Sequence, residues 1–159
     1  MNANELSSLA RNALAIGNIR LANEFIGRPY SIGGRVIHGN HLGKSFGFPT
    51  ANLEIPTNQT LIVINGVYVV TVKYEDKLYP GMANVGTRPT IDGKLLKIEV
   101  NLFDFNEDLY GKSIQVFFLD RLRDEKKFSG IEALINQIRL DKERTLLLLS
   151  RLNYPDPNS

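Results

Sequence analysis

Val67-Tyr68-Val69-Val70-Thr71-Val72-Lys73-Tyr74, followed at once by Glu75-Asp76-Lys77, is the stretch on which the fold turns. β-Branched and aromatic side chains fill all but one of its positions, the composition that a pleated, packed surface favours. Tyr74 to Lys77 reads as a hairpin turn that returns the chain through Leu78 to Val85. Further on, Ile98, Val100 and Leu102 alternate with Lys97, Glu99 and Asn101, so one face of that strand is apolar and the other polar. Ser113 to Leu119 supplies another strand. From Ser31 to Asp120 the signal is strand-like throughout and punctuated by Gly and Pro, which points to a barrel or a sandwich.

Both flanks read as helical. Ser7 to Ile26 carries Leu9, Ala13, Leu14 and Ile16 on one side; Gly17-Asn18 breaks the run, and Gly27 ends its continuation. Arg28-Pro29-Tyr30 is an extended connector. At the other end Ser129, with Glu132 three residues on, has the capping-box pattern. Ile131, Leu134, Ile135, Ile138, Leu146, Leu149 and Leu152 then form an apolar stripe that needs a surface to bury against. The expected divisions are 1–27, 28–152 and a flexible tail, 153–159.

Bulk properties limit the choice of function. A chain of 159 residues, 43% apolar and 23% charged, suits one globular domain. No apolar run reaches the roughly 18–20 residues of a membrane span, and Met1 to Glu5 has no signal-peptide character. There is no cysteine, hence no disulfide or thiolate site, and a cytoplasmic setting is expected. The formal net charge of +2 is too small to imply a nucleic acid or membrane partner.

The chemistry is concentrated between Gly39 and Asn52: Gly-Asn-His-Leu-Gly-Lys-Ser-Phe-Gly-Phe-Pro-Thr-Ala-Asn. Gly43-Lys44-Ser45 resembles the end of a Walker A loop. That loop needs a glycine where His38 stands, and it must open a helix, which Gly47 and Pro49 oppose. Another phosphate cradle is compatible with the residues. Glycines admit backbone N–H groups close to an anion, Lys44 adds a charge, and Thr50 and Asn52 each offer a hard neutral oxygen suited to Mg²⁺. Taken alone, the stretch reads more readily as a glycine-rich hairpin loop with polar ends, since loose glycine patterns are common.

Glu99, with Asn101 beside it, can orient an alcohol and take its proton; by itself it reads more readily as a solvated strand carboxylate, since surface glutamates are abundant. His38 and His41 lack a nearby carboxylate and make a poor metal site. In Arg121 to Lys127 the acids Asp124 and Glu125 interrupt the basic run, so it reads as a solvated approach to the last helix. Phe128 after it either covers an aromatic ligand or staples the helix start.

These residues resemble the riboflavin kinase family, including the kinase half of bacterial bifunctional FAD synthetases. The likeness rests on Gly39 to Asn52 with its Pro-Thr-Ala-Asn signature, and on Asn84 to Thr90, Ile98 to Phe105, Asp108 to Gly111 and Arg121 to Phe128 in order. It spans about residues 28 to 150. It implies a mainly β fold, a closed six-stranded antiparallel Greek-key barrel with a C-terminal helix and a short helical N-terminal segment. It implies transfer of the ATP γ-phosphate to the ribityl 5′-hydroxyl of riboflavin, giving FMN and ADP, with Mg²⁺ as cofactor. By the same resemblance Glu99 is the catalytic base, Thr50 and Asn52 hold Mg²⁺ and phosphates, and Gly39, Gly43, Lys44 and Tyr110 serve ATP. Arg123 and Phe128 then lie over the flavin, with the reacting groups meeting at the barrel's mouth.

Two departures stand out: Asn101, where relatives often carry His or Thr, and His41-Leu42, where many carry a further loop glycine or arginine. Residues 1–27 resemble the end of an adenylyltransferase module, which makes that module the expected partner and FMN adenylylation unexpected from this chain by itself. Two readings of other classes stay open. One is a nucleic-acid barrel using Arg88, Lys94, Lys97 and Tyr110, although no stacking platform is clustered. The other is a flavin-binding module without catalysis.

Overall fold

Strand alternation sorts the side chains between two sides of one closed sheet. The computed structural model describes residues 6–40, 50–55, 63–91 and 93–152, apart from the side chains of 38–40, 88–90 and 93–95. Its strands are β1 (Tyr30–Asn40), β2 (Thr50–Glu54), β3 (Gly66–Tyr74), β4 (Lys77–Thr90), β5 (Gly93–Leu102) and β6 (Ser113–Arg123). They close in the order β1-β2-β5-β4-β3-β6, every pairing antiparallel. The meander β3-β4-β5 with β6 returning beside β3 is a Greek key. Closure leaves no long sheet edge open to another chain.

Inside lie Val70, Val72, Ala83, Val85, Ile98 and Val100, from alternate positions of β3, β4 and β5. The first half of β1 pairs with β6 and the second half with β2. At the changeover, a Cβ on Gly34 would stand 2.4 Å from the Glu54 carbonyl oxygen, so only glycine fits that corner. The hairpin β3–β4 turns at Glu75-Asp76, with Glu75 at φ 56. β4 runs five residues past the expected Val85, because its pairing with β5 continues to Thr90↔Gly93.

Before the barrel come α1 (Ser8–Ala15) and α2 (Ile19–Ile26). Ser7 and Asn18 cap them, each side chain accepting from a backbone N–H three residues on, and Gly17 and Gly27 take positive φ of 83 and 86 as the helices end. Ala10, Leu14, Ile19 and Ala22 belong to the same buried cluster as the barrel interior. Asn23 accepts from Tyr30 N–H and donates to the Phe118 carbonyl, both at 2.8 Å, which ties α2 to the start of β1 and the middle of β6. Toward the opposite end of the strands, Phe105 packs edge-on against Tyr74 and Tyr79.

The final helix, α3 (Ile131–Arg151), lies on the outer surface of β3, β4 and β6. Leu149, buried among Val67, Val69, Met82, Phe103, Leu119 and Leu122, contributes about 2 kcal/mol by leaving water. Its N-cap is Gly130, with no side-chain cap, and not Ser129. With the start one residue later, Glu132 moves off the capping-box position, but its charge still favours the positive end of the helix. The buried line of α3 is Asp141-Thr145-Leu149, flanked by Ile138, Leu148 and Leu152, while Ile131 and Leu146 of the expected stripe are exposed. The aspartate in that line is buried, and its partner comes from β6. The tail 153–159 lies outside the described residues.

Candidate active site on the β2–β5–β4 wall

Antiparallel register brings the candidate residues together. Thr50 faces Asn101 and Asn52 faces Glu99 across β2 and β5; on the other side of β5, Asn84 faces the same Glu99. Directly opposed residues have Cβ atoms about 4.5–5.5 Å apart. Their sequence neighbours Ala51, Leu53, Ile98, Val100, Ala83 and Val85 all point into the core. Alternation therefore puts Thr50, Asn52, Glu99, Asn101 and Asn84 on the outer wall of the barrel, and not in its mouth.

The row Asn52-Glu99-Asn84 has an unusual balance of partners. Glu99 Oε1 lies 2.9 Å from Lys97 Nζ, with the two side chains 23% and 31% exposed. Thr50 Oγ1 donates to Asn101 Oδ1 at 2.6 Å, which sets the hydroxyl's orientation. Among the described residues, the Oδ1 atoms of Asn52 and Asn84 are both buried without a hydrogen-bond partner, a state that only Arg121 Nε and Thr145 Oγ1 share. An orphaned buried oxygen costs about 1–3 kcal/mol. Two such oxygens beside one carboxylate mark a surface arranged for something other than stability.

One residue of the segment 124–130 reaches β4 close to this row. A Cβ on Gly86, which pairs with Lys97, would meet Glu125 Oε1 at 2.4 Å, so Glu125 rests directly on β4 next to the Lys97–Glu99 pair. Arg123 anchors the segment. Its Nε and Nη2 donate to Asp141 at 2.7–3.0 Å, and its Nη1 donates to the Asp124 carbonyl at 2.8 Å. Gln137 also donates to Asp141, and Lys126 donates to Gln137. The basic run expected to be solvated thus begins inside β6: Arg121 bonds the Asn65 carbonyl and Asp124, and Arg123 the buried Asp141.

Of the sequence candidates, Thr50, Asn52 and Glu99 form one constellation with Asn101. Gly39 sits in β1 opposite Ala51, beside that constellation. Tyr110 is exposed on the turn before β6, where Gly111 N–H bonds the Val36 carbonyl on β1. Arg123 is turned toward α3, and Phe128 is half-buried in the segment that Arg123 anchors. Gly43 and Lys44, together with His41 and Leu42, lie outside the described residues. Sequence reasoning passed over Asn84 and Asp141. Asn84 sat within a stretch already matched to the family, and Asp141 was the one acid at the centre of an apolar helix face.

Fold and site together define a closed Greek-key barrel with a carboxylate and hard neutral oxygens on its wall. The riboflavin kinase family model, Flavokinase, matches residues 26–149. The chain belongs to the riboflavin kinase family. It is 42% identical over 149 residues to the bifunctional riboflavin kinase/FMN adenylyltransferase of Bacillus subtilis (strain 168), covering 92% of this chain and 47% of that protein. The protein of the same name in Haemophilus influenzae is 43% identical over 145 residues, covering 90% and 46%. The chain thus spans about half the length of these curated relatives.

Among solved structures, one described as a macrolide-efflux protein from Streptococcus pneumoniae superposes with a TM-score of 0.82 and 39% identity, over 94% of this chain and 47% of that one. Riboflavin kinase from Trypanosoma brucei superposes with a TM-score of 0.54 and 25% identity, over 77% and 80%. No helix among the described residues is long and apolar enough to cross a membrane.

Proposed function

We propose that this chain transfers the γ-phosphate of ATP to the ribityl 5′-hydroxyl of riboflavin, giving FMN and ADP. The observation that carries the reading is the direct opposition of Asn52 and Glu99 in register, within the segment matched to the family. Glu99 orients the terminal hydroxyl and takes its proton as the oxygen forms a bond to the γ-phosphorus. The bond from that phosphorus to the β-phosphate bridging oxygen breaks, and ADP leaves. Phosphoryl transfer depends mostly on such positioning and on charge neutralisation.

Asn52 fits the divalent cation that this chemistry uses, since its buried Oδ1 is a hard neutral acceptor without a partner among the described residues. Thr50, Asn52 and the phosphates would hold Mg²⁺, which neutralises phosphate charge when bound. Gly39, Gly43 and Lys44 would line the ATP loop, with Tyr110 on the nucleotide side. Arg123 and Phe128 would shape the cover over the flavin ring, Arg123 through its hold on the loop. We assign FMN adenylylation to the part of the bifunctional relatives that the match leaves out, with residues 1–27 as the join to such a module and the cytoplasm as the setting.

Incubating the protein with riboflavin and MgATP and resolving the flavins by chromatography tests the reading. FMN should accumulate; flavin binding without FMN would reduce the protein to a binding module. In Thr50→Ala, ATP should bind about tenfold more weakly in the presence of Mg²⁺ and little changed in its absence, as loss of a charge-assisted ligand implies. Equal affinities for variant and parent with Mg²⁺, by titration calorimetry, would remove Thr50 from the metal site.

A further inference from the structure

Asn84 has no role in the chemistry above, yet it occupies the mirror position to Asn52: the same register partner, the opposite side of β5, and the same buried oxygen without a partner. In phosphoryl transfer the attacking and leaving oxygens lie roughly in line through phosphorus. If Thr50 and Asn52 hold the phosphates on the β2 side of Glu99, the alcohol must come from the β4 side. Asn84 stands on that side, two residues along β4 from Gly86, where Glu125 of segment 124–130 rests.

We infer that Asn84 is a positioning residue for the acceptor, its carboxamide hydrogen-bonding a secondary hydroxyl of the polyol chain next to the hydroxyl that Glu99 holds. The inference rests on the kinase reading and goes beyond it by naming the side and the group that receive the polyol. A carboxamide both donates and accepts, so it can pair with a hydroxyl in either sense. A secondary hydroxyl donating to Asn84 Oδ1 satisfies an oxygen that has no partner among the described residues. An acceptor chain without such hydroxyls leaves it unpaired, which turns the orphan into a specificity device.

The test compares riboflavin with a flavin whose side chain is a plain 5-hydroxypentyl group, retaining the terminal hydroxyl and lacking the secondary ones. Flavin fluorescence gives Kd for each, and steady-state assays give KM for ATP. Asn84→Ala should weaken riboflavin about fivefold to tenfold, the scale of one hydrogen bond. It should leave the hydroxypentyl flavin and the KM for ATP unchanged within twofold. Asn84→Ser, which keeps a hydroxyl, should recover part of the riboflavin affinity, and it serves for the same comparison if the alanine variant melts early. Equal weakening of both flavins, or a change confined to ATP, overturns the subsite while leaving the kinase reading intact. A parent protein that makes no FMN overturns the kinase reading and the subsite together.

Discussion

Glu99→Ala should lower kcat for FMN formation by about 10²–10⁴-fold, the range for loss of a positioned general base, and leave flavin binding nearly unchanged. Stability changes do not confuse the result. The Lys97–Glu99 pair is partly exposed on both sides, and such pairs contribute only about 0–1 kcal/mol. Glu99 packs toward no core cluster, since its alternating neighbours Ile98 and Val100 fill the interior. The variant should therefore melt close to the parent while turning over far more slowly. Turnover within threefold of the parent would take Glu99 out of the mechanism, and the acceptor would then need another group to hold its proton.

Asp141→Ala has the largest effect expected on stability. The Asp141 side chain is 2% exposed and that of Arg123 14%, and the two share three donor–acceptor contacts of 2.7–3.0 Å. Removing one member of a buried pair leaves the other charge without its counterion, at a cost of about 3–5 kcal/mol. For a chain of this size that is a fall in Tm of roughly 6–20 °C. A melting curve within 2 °C of the parent would show that the guanidinium finds water once the carboxylate is gone. The consequence reaches the site as well, because Arg123 also holds the Asp124 carbonyl and so the strand end from which Glu125 reaches Gly86. Loss of riboflavin affinity should accompany the loss of stability.

Much of this was legible before any fold was in hand. The β-branched run of β3 announced itself by composition, and Ile98, Val100 and Leu102 named the inner face of β5 by alternation alone, because a strand has a period of two whatever its neighbours are. Gly17 and Gly27 marked helix ends for an equally local reason, since each takes a positive φ that other residues resist. The start of α3 was misread by one residue, where Ser129 has cap chemistry but the backbone turns helical only after Gly130.

Local sequence by itself indicated where β3 and β5 run and which of their faces is apolar, and it named Thr50, Asn52 and Glu99 as candidates for phosphoryl transfer. Tertiary structure alone decided that Asn52 and Asn84, 32 positions apart, flank the same Glu99, that these side chains lie on the outer wall, and that Arg123 faces Asp141. The physical reason is that cross-strand register and helix rotation are settled by long-range packing. Strand β5 pairs with β4 through a hairpin but with β2 only across a long stretch of chain, and α3 turns its aspartate toward the arginine that β6 supplies.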